Sequence, residues 1–420
     1  MDRRRFCGLA VSALGALALE PRLPAGAAQP AGFGDRFFFK DGDRVVMIGD
    51  SITEQHLHSN YVEIYTLSRF PQWNLTFRNV GIGGDTSTGG NRRTERDVLS
   101  FKPTAVTITF GMNDAGYRNP HDPVRLEAYR TGLQGMADKL KPQGVRVAIL
   151  SASPVEKMEN GPALEGYNQT LEIFAATARE VATRSGFVFV DQFHPHVAAL
   201  QKARDASPGQ RINGGDAVHP GPSGQLLMAW AILKGLNAPS LVSSATLNAT
   251  RKRSSTKVQN CAVTEVRRRS GGVSFVRTDK ALPLWIAAEA RPILQWAPIV
   301  EELDQYLLTV RGLQEGSYDL VIDGEKTGTV SAAELEAGYN MALLTDGPIA
   351  RQAKAVHDAV FAKNKYYHDQ IFRGVVLNNA VPEADKSAMI DERMKGMPAL
   401  ETAIREALVL KPHRFEVVKS

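Results

Sequence analysis

The chain has 420 residues, 43% of them hydrophobic and 23% charged, and a formal net charge of +5. That length allows two or three domains, and the composition is that of a soluble globular protein, which excludes a disordered or fibrous chain. So small a basic excess gives no reason to expect nucleic acid or a membrane surface as a partner, and with Cys7 and Cys261 as the cysteines the fold is not built on disulfides.

Residues 1–28 read as an export signal. Arg3, Arg4, Arg5 and Phe6 precede a short apolar run over 7–19, and small residues follow at Ala25, Gly26, Ala27 and Ala28. The paired arginines resemble a twin-arginine signal, which implies export of an already folded protein to the periplasm or beyond. The apolar run is too short to span a bilayer comfortably, so no stable membrane insertion is expected once the signal is removed. Cys261 then stands alone, and its place in an alternating segment reads as a buried strand residue.

From residue 42 to 237 strands alternate with helices. Val45, Val46, Met47 and Ile48 form an apolar run ending at Gly49-Asp50-Ser51. Helical spacing over 60–70 and strand patterns over 75–80 and 105–110 follow, with a short helix at 89–99. Then come a helix over 123–140 with Pro123 in its first turn, a strand at 145–150, a helix over 164–185 ended by Gly186, a strand at 187–190 and a helix over 223–236 with Ser223 as candidate cap. Nearly continuous apolar strands between helices predict a parallel sheet covered on both faces, with ligands bound beyond the carboxyl ends of the strands.

Asn237-Ala238-Pro239-Ser240 marks a boundary, after which the pattern changes to period two. Strands are expected over 241–249, 257–267 and 272–277, the last two joined at Ser270-Gly271. Further strands are expected over 306–310, 318–322 and 326–330, with turns at Glu315-Gly316 and Asp323-Gly324. This predicts an antiparallel β module over 241–332. From 347 to 411 the chain is helical again, with helices over 348–372, 384–394 and 397–409. Trp285 and Trp296 are candidate sugar-stacking rings but read more simply as packing. The run Lys363 to His368 reads as a solvated helix face, and Arg251–Arg253 and Arg267–Arg269 as solvated clusters.

The chemistry concentrates past the strand ends. A serine hydroxyl needs a base to become a nucleophile. In Asp216-Ala217-Val218-His219 the spacing allows a turn or a first helical turn to put Asp216 and His219 on one side, where the carboxylate can meet Nδ1 of His219 and leave Nε2 for Ser51. Gly83-Gly84-Asp85 and Gly111-Met112-Asn113-Asp114 each offer neutral donors for a developing oxyanion. Asp50, Asp85 and Asp114 read as acceptors that fix their loops, and His56 and His58 as surface or packing residues. His194 and His196 lack partners at ligand spacing, so no metal site is expected.

Four segments in this order resemble the SGNH, or GDSL-like, hydrolase superfamily: Gly49-Asp50-Ser51, Asn79-Val80-Gly81-Ile82-Gly83-Gly84, Gly111-Met112-Asn113-Asp114 and Asp216-Ala217-Val218-His219. Ile52 stands where the family name has leucine. The resemblance covers 42–237 and implies an α/β fold of flavodoxin-like type, a three-layer sandwich with a central parallel sheet. It implies a catalytic triad of Ser51, Asp216 and His219, and an oxyanion hole from the N–H of Ser51, the N–H of Gly84 and the side chain of Asn113, with Gly83 as the rival to Gly84. No metal or organic cofactor is implied. The expected activity is hydrolysis of acyl esters through an acyl-enzyme, with acetyl groups on carbohydrate favoured because an exported chain with an extra β module suits a polar carrier. The alternatives are a short-chain carboxylesterase or lysophospholipase, or a non-catalytic glycan-binding protein on the same fold.

Overall fold

A computed structural model describes residues 36–156, 164, 166–250, 256–269 and 271–420. The expected export signal, the Arg251–Arg253 cluster and Ser270 lie outside the described residues.

Strands β1 (Arg44–Gly49), β2 (Thr76–Asn79), β3 (Ala105–Thr109), β4 (Arg146–Leu150) and β5 (Val188–Val190) form one sheet in the order β2-β1-β3-β4-β5. Every pairing in it is parallel. All of β3 and all of β1 beyond Arg44 are buried, which is why these strands are runs of apolar residues rather than alternations. Helices α1 (Ser51–Glu54), α2 (Leu57–Arg69), α3 (Ser87–Asp97), α4 (Pro123–Leu140), α5 (Tyr167–Ser185), α6 (Phe193–Ala206) and α7 (Pro222–Gly235) complete the flavodoxin-like unit. The strand order reverses between β1 and β3, and that reversal opens a crevice at their carboxyl ends.

Three details differ from the expectation. Helix α6 occupies a stretch where none was expected. Its buried stripe of Phe193, His196, Ala199, Leu200 and Ala203 is rich in alanine, so its hydrophobic period is weak. Helix α2 begins at Leu57, three residues early, after His56 adopts a left-handed conformation with φ 63°. Ser223 does not cap α7; Gly221 does, with Pro222 in the first turn, and the Ser223 hydroxyl donates to the Glu289 carbonyl at 3.2 Å.

The second unit has its own core and two sheets. They contain β6 (Leu241–Asn248), β7 (Lys257–Gln259), β8 (Cys261–Arg269), β9 (Gly272–Asp279), β10 (Gln305–Arg311), β11 (Ser317–Ile322), β12 (Glu325–Ser331), β13 (Tyr339–Asn340) and β14 (His413–Lys419). The sheet orders are β13-β10-β6-β7 and β12-β11-β14-β9-β8. The module expected over 241–332 is therefore not contiguous: its central strand β14 comes from beyond the helices. The expected single strand over 257–267 is broken at Asn260, φ 56°, and its halves join different sheets. Strands β10 and β11 also lie in different sheets, and β10 pairs with β6 in parallel, a departure from a purely antiparallel module. Arg277 is fully buried between the sheets, bonded to Asp279, to Ser243 Oγ and to the Leu307 carbonyl. Cys261 is buried in β8 and donates to the Ser244 carbonyl.

Short helices α8 (Ile299–Leu303) and α9 (Ala332–Ala337) flank this unit, and α10 (Pro348–Tyr366), α11 (Glu383–Met394) and α12 (Met397–Ala407) form the helical region. Helix α10 runs on into a π-helical segment, Tyr367–Val376. The run Lys363 to His368 is not a solvated face. Lys363, Asn364 and Tyr367 are buried; Lys363 pairs with Glu63 of α2, and Asn364 Nδ2 donates to Asn60 Oδ1 at 2.7 Å and to Glu63 Oε2 at 2.8 Å. Among the described residues no helix is long and apolar enough to cross a membrane.

The junction between the two units is held by Arg69 in the last turn of α2. Its guanidinium donates to the carbonyls of Ser240 and Leu303 at 3.2 and 2.9 Å and pairs with Asp304 at 3.2 Å, and both Asp304 oxygens accept the Leu284 N–H. Burial pushes the Asp304 carboxyl up to about 7 even beside Arg69. Arg69→Ala strands this carboxylate, and urea unfolding is expected to show a loss of about 3–5 kcal/mol.

Candidate active site

Strand β1 delivers Ser51 to the crevice through a turn that has no room for a side chain at Gly49. A Cβ there would lie 2.1 Å from Thr53 Oγ1 and 2.7 Å from the Thr109 carbonyl. Asp50 caps α1, its carboxylate accepting the Ile52 N–H at 3.0 Å, and Ser51 follows as the first helical residue, half-buried. Ser51 Oγ lies 2.9 Å from His219 Nε2, and His219 Nδ1 lies 2.9 Å from Asp216 Oδ2. The other Asp216 oxygen accepts the N–H groups of Val218 and His219, each at 2.7 Å. The three-residue spacing thus closes an Asx-type turn that orients ring and carboxylate together. Asp216 is 59% exposed. Burial acts to raise its carboxyl, but the bonds from His219 and Val218 outweigh it and hold the group below its ordinary range. An ionised Asp216 favours the tautomer with Nδ1–H, which turns the Nε2 lone pair toward Ser51.

The donors opposite are sorted by where each backbone N–H goes. Gly81 donates to Asn79 Oδ1, Ile82 to the Gly49 carbonyl and Asp85 to the Ile82 carbonyl, while the Gly83 backbone lies against the Glu54 carboxylate. Among the described residues the N–H of Gly84 has no protein acceptor, and it stands on an exposed turn at φ 73° where glycine is favoured. Asn113 is fixed at both ends of its amide: Nδ2 donates to the Asp85 carbonyl at 2.9 Å, and Oδ1 accepts from Tyr117 at 2.8 Å. One N–H of that amide remains. Asp114 takes no part in the crevice; it accepts from Ser87 N, Ser87 Oγ and Gly111 N.

Several organising residues were not singled out from the sequence. Arg93 of α3 is buried and joins three segments, bonding the carbonyls of Gly49 and Val80 and the carboxylates of Asp85 and Asp97. Glu156, just past β4, accepts the N–H groups of Ile212 and Asn213 at 2.9 and 3.0 Å and so anchors the loop that carries Asp216 and His219. His196, considered from the sequence only as a metal candidate, supports the same loop, its Nε2 lying 2.6 Å from Asn213 Oδ1. Gln225 bonds His58 and the Pro220 carbonyl. No short motif marks these residues, because each acts through a long-range contact. His58 and His56 are both buried. Burial lowers His56 to about 3 and His58 to about 4, so both are neutral packing groups. Trp296 packs half-buried on the main core, and Trp285 lies under Arg291.

Residues 47–227 match the model of the GDSL-like Lipase/Acylhydrolase family. The chain is 25% identical over 214 residues to an acetylxylan esterase of Geobacillus stearothermophilus, spanning 46% of this chain and 93% of that protein. It is 31% identical over 83 residues to an uncharacterized lipoprotein of Bacillus subtilis, spanning 20% of this chain and 34% of that one. Among solved structures a gut microbial diltiazem-metabolizing enzyme matches with a TM-score of 0.80 at 26% identity, covering 93% of this chain and 100% of that one. That likeness takes in the β-rich unit and the helices as well as the parallel sheet.

Asp50 sets a pH dependence. Burial pushes its carboxyl up to about 7, against about 4 in an unfolded chain. A raised folded value means that its contribution to stability is full below about pH 4 and lost as pH rises through about 7. Asp50→Asn keeps an acceptor for the Ile52 N–H and removes the titration. The variant should show a higher urea midpoint than the parent at pH 8 and an equal one near pH 4.

Proposed function

We propose that this chain, whose residues 47–227 match the model of the GDSL-like Lipase/Acylhydrolase family, is a serine carboxylic ester hydrolase that cleaves acetyl esters carried on carbohydrate, using Ser51, His219 and Asp216. The observation that carries the reading is the unbroken line of contacts from Asp216 through His219 to Ser51, 2.9 Å at each step. His219 Nε2 takes the hydroxyl proton as Ser51 Oγ attacks the ester carbonyl. Asp216 stabilises the imidazolium that forms. The tetrahedral oxyanion lies against the N–H of Ser51, the N–H of Gly84 and the remaining N–H of the Asn113 amide. As the intermediate collapses, the C–O bond to the alcohol breaks and the imidazolium protonates the leaving oxygen. Water then attacks the acyl-enzyme, gives its proton to His219, and the acid departs as Ser51 is restored.

The substrate class draws on two supports. Gly83, Gly84, Tyr117 and Asp216 are exposed around the half-buried serine, an open setting that admits a small acyl group on a bulky polar carrier. The acetylxylan esterase relative has this kind of substrate by its name. A second reading, hydrolysis of short acyl esters on small molecules, is favoured by the full-length likeness to a diltiazem-metabolizing enzyme. The twin-arginine-type leader supports action outside the cytoplasm.

The test uses p-nitrophenyl acetate, butyrate and octanoate, then acetate release from acetylated xylan and pectin. Acetate-selective turnover with release from a polysaccharide is expected; turnover confined to small esters favours the second reading, and preference for octanoate overturns both. Ser51→Ala should abolish turnover, a loss of up to about a million-fold. Asn113→Ala should retain a measurable rate, about 10²–10³ below the parent.

A further inference from the structure

The π-helical segment Tyr367–Val376 lies outside the span that matches the family model, yet it reaches the crevice. Arg373 pairs with Glu54 of α1, and His368 Nε2 lies 3.3 Å from the same carboxylate. Glu54 is three residues beyond Ser51, and its carboxylate lies against the Gly83 backbone, immediately before Gly84. The contact is close: a Cβ at Gly83 would lie 3.0 Å from Glu54 Oε2 and 3.7 Å from an Arg373 nitrogen.

We propose that Glu54 is a positioning residue that aims the Gly84 N–H at the oxyanion, and that Arg373, with His368, both fixes Glu54 and cancels its charge. This rests on the ester-hydrolase reading of the same site. A carboxylate beside a forming oxyanion works against the reaction unless a cation compensates it. Burial acts to raise the Glu54 carboxyl, but the bonds from His368 and Arg373 outweigh it and keep the group ionised. His56 packs edge-on to His368 at 4.8 Å between ring centroids and is itself neutral, so it adds no second cation behind the pair. Asp369 bonds His368 Nδ1 at 2.8 Å and holds that ring with its Nε2 toward Glu54. Arg373 is 49% exposed, so its removal should leave the core intact.

The experiment is a double-mutant cycle on the full chain with Arg373→Ala, Glu54→Gln and the pair together. Arg373→Ala should lower kcat by about 10- to 100-fold, the scale set by misplacement of a catalytic group, with KM and melting temperature little changed. Adding Glu54→Gln to Arg373→Ala should restore most of kcat, because a neutral amide of the same shape still packs against Gly83 and needs no counter-charge. Amide hydrogen exchange over residues 81–85 reads the clamp without substrate: it should quicken in Arg373→Ala and slow again in the pair. Parent-like kcat and exchange in Arg373→Ala, or a pair no better than Arg373→Ala, overturns the proposal. If the parent hydrolyses no ester while the exchange pattern holds, the clamp stands as a positioning device and the ester reading fails.

Discussion

Everything in the crevice depends on backbone meeting backbone at the carboxyl end of the parallel sheet. The turn at Gly49 lies against Thr53 and the end of β3, and Gly81 sits so close to α1 that a Cβ would lie 2.4 Å from the Glu54 nitrogen. Contacts this short hold the turn that carries Gly84 against α1, the helix that begins at Ser51. They also trap peptide groups away from water, and each trapped carbonyl must find a donor or cost the fold about 1–3 kcal/mol. Arg93 meets that requirement for the Val80 carbonyl, adds a second donor to the Gly49 carbonyl already bonded by Ile82, and bonds the carboxylates of Asp85 and Asp97. A cation buried to this depth is tolerable because each of its three guanidinium nitrogens has a hydrogen-bond partner.

The sheet unit was legible in the sequence because its signals are local. Strands such as Ala105–Thr109 are buried along their whole length and so are continuous apolar runs. The spacing of Asp216 and His219 needs only one turn to bring them together. The supports of that turn could not be read the same way: Glu156 bonds the backbone of residues 212 and 213, and nothing near Glu156 distinguishes it from a surface carboxylate. The run from Lys363 to His368 failed for the opposite reason. Its polar residues looked solvated, but buried lysine and asparagine are stable when a partner such as Glu63 stands opposite, and that partner lies on α2.

The strand β14 was hidden by its composition. Within His413–Lys419 only Phe415 and Val417 are buried, a short alternation among charged residues. Its neighbours β11 and β9 supply the hydrogen bonds that make it a central strand, and those lie far earlier in the chain. The helical region is thus enclosed between strands of one sheet rather than appended after it. That closure ties the helices that carry His368 and Arg373 to the β-rich unit at both ends.

The place of β14 has a consequence for synthesis. As the chain leaves the ribosome, β8, β9, β11 and β12 appear well before the strand that separates them, so their sheet has a gap at its centre. Two edges, on β9 and β11, stay open until His413–Lys419 emerges. Open edges invite pairing with other chains. At about 5–20 residues per second the helical insert holds that gap open for several seconds, the interval in which a chaperone would be most useful to this protein.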